Sequence, residues 1–160
     1  MRLPALCILS AINLGLIRDK DDLEELCDLS VRALDEIIDY QEYPVEAARI
    51  STESRRSLGV GYIGLAHFLA KNHVKYDDKE ALMLVDEVTE AFQYYLLKAS
   101  NTLAKERGAC EYFDKTKYSD GILPIDSYKK DVDDLVNRKL SYNWNSLRKD
   151  IKESGLRHST

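Results

Sequence analysis

Leu6-Cys7-Ile8-Leu9-Ser10-Ala11-Ile12-Asn13-Leu14-Gly15 is the stretch on which the reading of this chain turns. It is an almost unbroken apolar run. Residues 5–15 read as one buried strand that stops at Gly15 and the charged break Arg18-Asp19-Lys20-Asp21-Asp22. The run carries Cys7, a thiol with no reactive partner near it in the sequence. Whatever chemistry Cys7 performs needs residues outside this chain, which points to a piece of a larger machine.

Working outward, the segments that follow are helical. Asp21 and Asp22 sit where a helix N-terminus favours negative charge. From Leu23 to about Tyr40, Leu26, Cys27, Val31, Leu34, Ile37 and Ile38 follow helical spacing and predict one buried stripe. Pro44 ends that element and opens a polar connection to Arg56. Ser57 to Gly64 reads as a glycine-rich turn or strand, followed by a short helix over Leu65–Lys71 with Asn72 as its stop. The longest helix is expected from about Lys79 to Arg107, with Leu82, Val85, Val88, Phe92, Tyr95, Leu96, Ala99 and Leu103 on its apolar stripe. At a rise of about 1.5 Å per residue it is a rod of about 43 Å, capped by Gly108. The chain then becomes irregular through Gly121 and Pro124 to about Leu140, and a last helix from about Asn143 to Glu153 ends at Gly155. This order predicts a helix-rich α/β fold in one partial domain over residues 1–160, with fewer strands than an ordinary sheet.

Composition sets the class. The chain has 160 residues, 44% hydrophobic and 32% charged, the profile of a globular protein. Its net charge of -5 gives no electrostatic footprint for nucleic acid or an anionic membrane. No apolar run reaches the roughly 20 residues of a membrane span, and no signal-peptide core follows Met1. Three cysteines without metal-ligand spacing point to a reducing, cytoplasmic compartment.

Most of the candidate motifs read as structure. Gly59, Gly61 and Gly64 match the spacing of a dinucleotide fingerprint, but Glu53-Ser54-Arg55-Arg56-Ser57 precedes them where a buried strand is required. Close backbone packing is the expected role of these glycines. Tyr94-Tyr95 lies on or beside an apolar helix stripe, so core packing is expected there rather than redox work. Cys27 and Cys110 read as inert thiols, and His67, His73 and His158 have no ligand-spaced partners. Asp21-Asp22-Glu24-Glu25 and Asp131-Asp133-Asp134 read as solvated faces or a helix start, and their spacing does not support a magnesium site. By spacing alone Cys7 is another buried structural thiol.

As a string, however, the chain resembles the large, catalytic subunit of class I (Ia-type) ribonucleotide reductases, of the kind found in enterobacteria and their large phages. The residues that carry the resemblance are Leu6-Cys7 with Leu9-Ser10-Ala11 and Asn13-Leu14-Gly15, then Arg55-Arg56-Ser57-Leu58-Gly59-Val60-Gly61. Ala91-Phe92-Gln93-Tyr94-Tyr95-Leu96-Leu97-Lys98-Ala99-Ser100, Glu106-Arg107-Gly108-Ala109-Cys110 and Gly121-Ile122-Leu123-Pro124-Ile125-Asp126 follow in order. The resemblance implies a partial segment of a ten-stranded α/β barrel. It also implies radical-based reduction of ribonucleoside diphosphates to deoxyribonucleoside diphosphates for DNA synthesis, with Cys7 as one half of the redox-active cysteine pair. That assignment reverses the structural reading of Cys7 and of no other residue.

By the same resemblance, the radical cysteine, the partner of Cys7 and the effector sites lie upstream of this segment. The substrate-phosphate loop, the radical-transfer tyrosines and the shuttle cysteines lie downstream. The partners implied are the rest of the large subunit, the small subunit with its di-iron tyrosyl radical, thioredoxin or glutaredoxin, and the ribonucleoside diphosphate. ATP and dNTP effectors are implied for the whole enzyme, and no cofactor is expected in this chain itself. The isolated chain is expected to be inactive and to expose apolar surface where strand 5–15 lacks neighbours. The alternative is a non-catalytic helical interaction module derived from a reductase scaffold.

Overall fold

The computed structural model describes residues 6–127, 131 and 139–159. Two strands, β1 (Ile8–Asn13) and β2 (Leu58–Ile63), pair in parallel, with Ile8 opposite Leu58 and Asn13 opposite Ile63. The helices are α1 (Lys20–Tyr40), α2 (Glu46–Arg55), α3 (Leu65–Lys71), α4 (Lys79–Arg107) and α5 (Trp144–Ser154). The expected bounds of α3 and α4 and the Gly108 cap of α4 are observed, and α5 is shifted by a single residue. None of the described helices is long and apolar enough to cross a membrane.

The long strand expected over 5–15 is shorter. β1 ends at Asn13, whose side chain accepts from the Gly15 amide and turns the chain into a single 3-10 turn, Leu14–Leu16. The polar connection expected between Pro44 and Arg56 is instead helix α2. Its buried side is made of Ala48, Ser51, Thr52 and Ser54, so no apolar period marks it. Its exposed side is held by Arg49, which bridges Glu46 and Glu53 one turn away on either side. Leu26, Ile37 and Leu82 were expected on buried stripes and are exposed, because they lie on the flanks of their helices. Asp133 and Asp134 of the second acidic cluster lie outside the described residues.

One core joins sheet and helices. Ile12 and Leu14 pack with Leu23 and Cys27 of α1 and with Ala91, Phe92 and Tyr95 of α4. Further along, Val31 of α1 meets Ala99 and Leu103 of α4. Each fully buried aliphatic side chain of this kind stabilises by about 1.5–3 kcal/mol. On the other side of α4, Leu97 packs against Trp144, Leu147 and Ile151 of α5. Buried Glu90 of α4 accepts from Trp144 Nε1 at 2.9 Å and from the Ser141 amide at 3.0 Å, which fixes the approach to α5.

A second buried polar centre ties the remaining elements together. Asp35 of α1 is wholly buried and accepts from Arg56 Nε at 2.6 Å, Arg157 Nε at 3.2 Å and Arg107 Nη1 at 3.2 Å. His158 Nε2 lies 3.2 Å from the same carboxylate. Asp39 takes Arg56 Nη1 at 2.8 Å and Glu36 takes Arg107 at 2.5 Å, so three guanidinium groups face three carboxylates. Charge is balanced without a proton on His158. Its Nδ1 lies 2.9 Å from Ser100 Oγ, which also accepts from the His158 amide, so the ring donates from Nε2 and accepts at Nδ1. Burial lowers the imidazole pKa below its ordinary value, and Asp35 offsets this only in part. Burial also opposes ionisation of Asp35, yet His158, Arg56 and Arg157 outweigh it and hold the carboxyl well below the usual range.

Replacing Asp35 with Ala leaves buried Arg56 with Asp39 alone and takes from Arg157 its only carboxylate among the described residues. The expected loss is about 3–5 kcal/mol, seen as a fall in the urea midpoint at unchanged slope. Acid should act in two stages. His158 is neutral when folded, so stability falls as the pH drops below about 6.5, where the unfolded imidazole gains its proton. Asp35 has a depressed folded pKa, so its contribution is complete above about 3.9 and is lost below it. In a denaturation series from pH 8 to pH 3, His158→Gln should remove the first stage and keep the second.

Candidate active-site face around Cys7

The two strands present unlike faces. In β1, Ile12 is buried under the helices while Leu9, 73% exposed, and Ala11 point the other way. In β2, Leu58 is buried, and Ile63 is exposed. Strand alternation therefore places Cys7, Leu9 and Ala11 with Gly59, Gly61 and Ile63 on one face. α1 and α4 cover the opposite face. Parallel sheets are normally covered on both sides, and this face has no cover among the described residues.

Cys7 lies one residue before β1, at the edge of that open face. It is exposed and free, which corrects the buried position expected from spacing alone. An apolar run cannot tell which face of a strand is covered, and here the covered face belongs to Ser10 and Ile12. Partial burial raises the Cys7 pKa, and no basic side chain offsets it, so the thiol is protonated near neutral pH. Its Sγ makes one weak contact, 3.8 Å from the Ile8 carbonyl.

Gly59 lets the Leu9 side chain lie against the backbone of β2, next to Cys7. A Cβ placed there would lie 3.6 Å from Cys7 Sγ and 2.8 Å from Leu9 Cδ2. Gly61 has more room, with the Ser10 carbonyl at 4.0 Å. Both glycines lie inside β2, whereas a phosphate-binding turn needs them after the strand. Gly64, at φ 75°, turns the chain into α3, and a side chain there would strike Asn13 Oδ1. Close packing, as expected, is what these glycines permit.

The other candidates stay structural. Cys27 is buried and its pKa is pushed up to about 12, by burial and then by Glu24. Cys110 is buried, and burial raises its pKa too. Tyr95 is buried and its hydroxyl accepts from Tyr142 at 3.2 Å, while Tyr94 stacks on Tyr142 with ring centroids 4.6 Å apart. The ring of His67 packs against Gly15. No three metal-ligating side chains come together among the described residues. His158, without ligand-spaced partners in the sequence, is part of the Asp35 centre, whose members are far apart along the chain.

Residues 3–160 match the family model of the ribonucleotide reductase barrel domain. The chain is 60% identical over 156 residues to the ribonucleoside-diphosphate reductase subunit alpha of Buchnera aphidicola subsp. Schizaphis graminum, covering 98% of this chain and 20% of that protein. The subunit alpha of Haemophilus influenzae is 62% identical over 156 residues, covering 98% of this chain and 21% of that protein. That of Enterobacteria phage T4 is 45% identical over 157 residues, covering 97% and 20%. The chain thus spans about a fifth of the length of these relatives. Its helix-backed pair of parallel strands is a partial sheet of such a barrel, and the chain belongs to the ribonucleotide reductase barrel-domain family.

Proposed function

We propose that this chain is a wall segment of the catalytic barrel of a ribonucleoside-diphosphate reductase large subunit, and that Cys7 is one half of its redox-active cysteine pair. The observation that carries the reading is the position of Cys7: a free, exposed thiol on the sheet face that the helices leave open. In a barrel with helices outside, that face is the interior, where a substrate sits. A ribonucleoside diphosphate and two thiols give a deoxyribonucleoside diphosphate, a disulfide and water. Cys7 supplies one thiol, and the second comes from polypeptide outside this segment.

Thiol exchange requires a sulfur to reach Cys7 in line, and Gly59 adds no side chain of its own beside the exposed Sγ. The radical-generating small subunit, the effector nucleotides and thioredoxin or glutaredoxin would meet the whole enzyme through polypeptide beyond these residues. Turnover by the isolated chain is therefore expected to be absent.

Reconstitution tests the assignment. The chain is combined with polypeptides supplying the rest of the large subunit, together with small subunit and thioredoxin, and CDP reduction is assayed. Activity should require this chain and fall to background with Cys7→Ser. Undiminished activity with Cys7→Ser would leave the chain as scaffold alone, and turnover by the isolated chain would contradict the reading from the other side. Gly59→Val should slow disulfide exchange at Cys7 with a bulky aromatic disulfide by about tenfold or more. Gly61→Ala should leave the rate near that of the parent, as read by stopped-flow absorbance.

A further inference from the structure

Beside the N-terminal end of β2 lies a concavity of about 530 Å³ lined by Arg55, Lys115 and Lys117. Arg55 and Lys115 converge on one ring: the guanidinium carbon is 4.8 Å and the ammonium nitrogen 4.0 Å from the centroid of Tyr112. The ring attracts both cations without neutralising either. None of the three forms an ion pair among the described residues, and no Asp or Glu lines the concavity. Every other described arginine holds a carboxylate. Arg55 is thus the one described arginine without a carboxylate, in a chain of net charge -5.

The neutral groups at the site add to the pattern. Ser57 Oγ and Ser159 Oγ lie 3.2 Å apart and share one hydrogen, which leaves the other free for a ligand oxygen. The Ser159 amide donates to the Arg55 carbonyl at 3.0 Å, so the final described residues close one side of the concavity. The Thr116 hydroxyl donates to the Phe113 carbonyl at 2.7 Å and can only accept. Leu123 and Pro124 form an apolar wall. Three cations and one free hydroxyl proton suit an anion with several terminal oxygens and more than one negative charge, and Arg offers such a group a planar pair of donors.

We propose that this concavity binds a phosphate group, held by Arg55, Lys115 and Lys117 with the Ser57–Ser159 pair as the neutral donor. The group is either inorganic phosphate or a phosphate monoester whose organic part lies on Leu123 and Pro124. The site does not depend on the redox role of Cys7.

The test is a titration of the 160-residue chain with inorganic phosphate and with phenyl phosphate, at ionic strength held constant with chloride. Calorimetry and the amide shifts of residues 115–117 report binding. Saturable binding is expected, weakened about tenfold or more by Arg55→Gln or Lys115→Gln and retained in Lys115→Arg. Lys149→Gln, on α5 and near Glu153, and Cys7→Ser should leave it unchanged. Tighter binding of phenyl phosphate identifies a monoester site, and equal binding identifies an inorganic phosphate site. Lys117→Gln, at an exposed side chain without a partner among the described residues, gives the same readout if the other variants fail to fold. Absence of saturable binding by millimolar anion, or binding that survives the loss of these cations in folded variants, overturns the proposal.

Discussion

The Asp35 carboxylate is the constraint from which the rest of the arrangement follows. It gathers Arg56 from the end of α2, Arg107 from the end of α4, and Arg157 and His158 from beyond α5. Arg56 occupies the left-handed region at φ 49° and ψ 46°, where glycine is the usual residue. Such a conformation costs of order 1 kcal/mol, and it is stabilised here because the guanidinium reaches Asp35 and both oxygens of Asp39. Two residues later β2 begins. The geometry of this turn therefore helps to set Gly59 against Leu9 and beside Cys7.

The two sides of the sheet divide the physical work. The covered side carries burial: α1 and α4 close over Ile12 and Leu14. The open side carries Leu9 and Ile63, 73% and 55% exposed, with two glycines and one thiol. An apolar face on a two-stranded parallel sheet is unstable in water unless something covers it. Barrel closure by further strands would cover it and would also enclose Cys7 in a space where exchange is controlled by access.

Legibility in the sequence followed the length and chemistry of each element. α4 was readable from Lys79 to Arg107 because its apolar stripe persists along its length and Gly108 stops it. α2 was not readable, since its buried face is Ala48, Ser51 and Thr52, which carry no apolar signal. The Asp35 centre was invisible because its contacts join residues 21, 72 and 123 positions apart. For Cys7, periodicity suggested burial and the resemblance suggested chemistry. The structure sides with accessibility, because the strand is covered on one face only.

The central claim is that Cys7 is paired with a sulfur that this chain does not contain. Mild oxidation of the reconstituted large subunit, followed by proteolysis and mass spectrometry of disulfide-linked peptides, tests it most directly. The account predicts a disulfide between Cys7 and a cysteine of the complementing polypeptide, formed in oxidised enzyme and lost when thioredoxin reduces it. Cys7 recovered as a free thiol under those conditions, or linked to Cys27, Cys110 or a second Cys7, would contradict it.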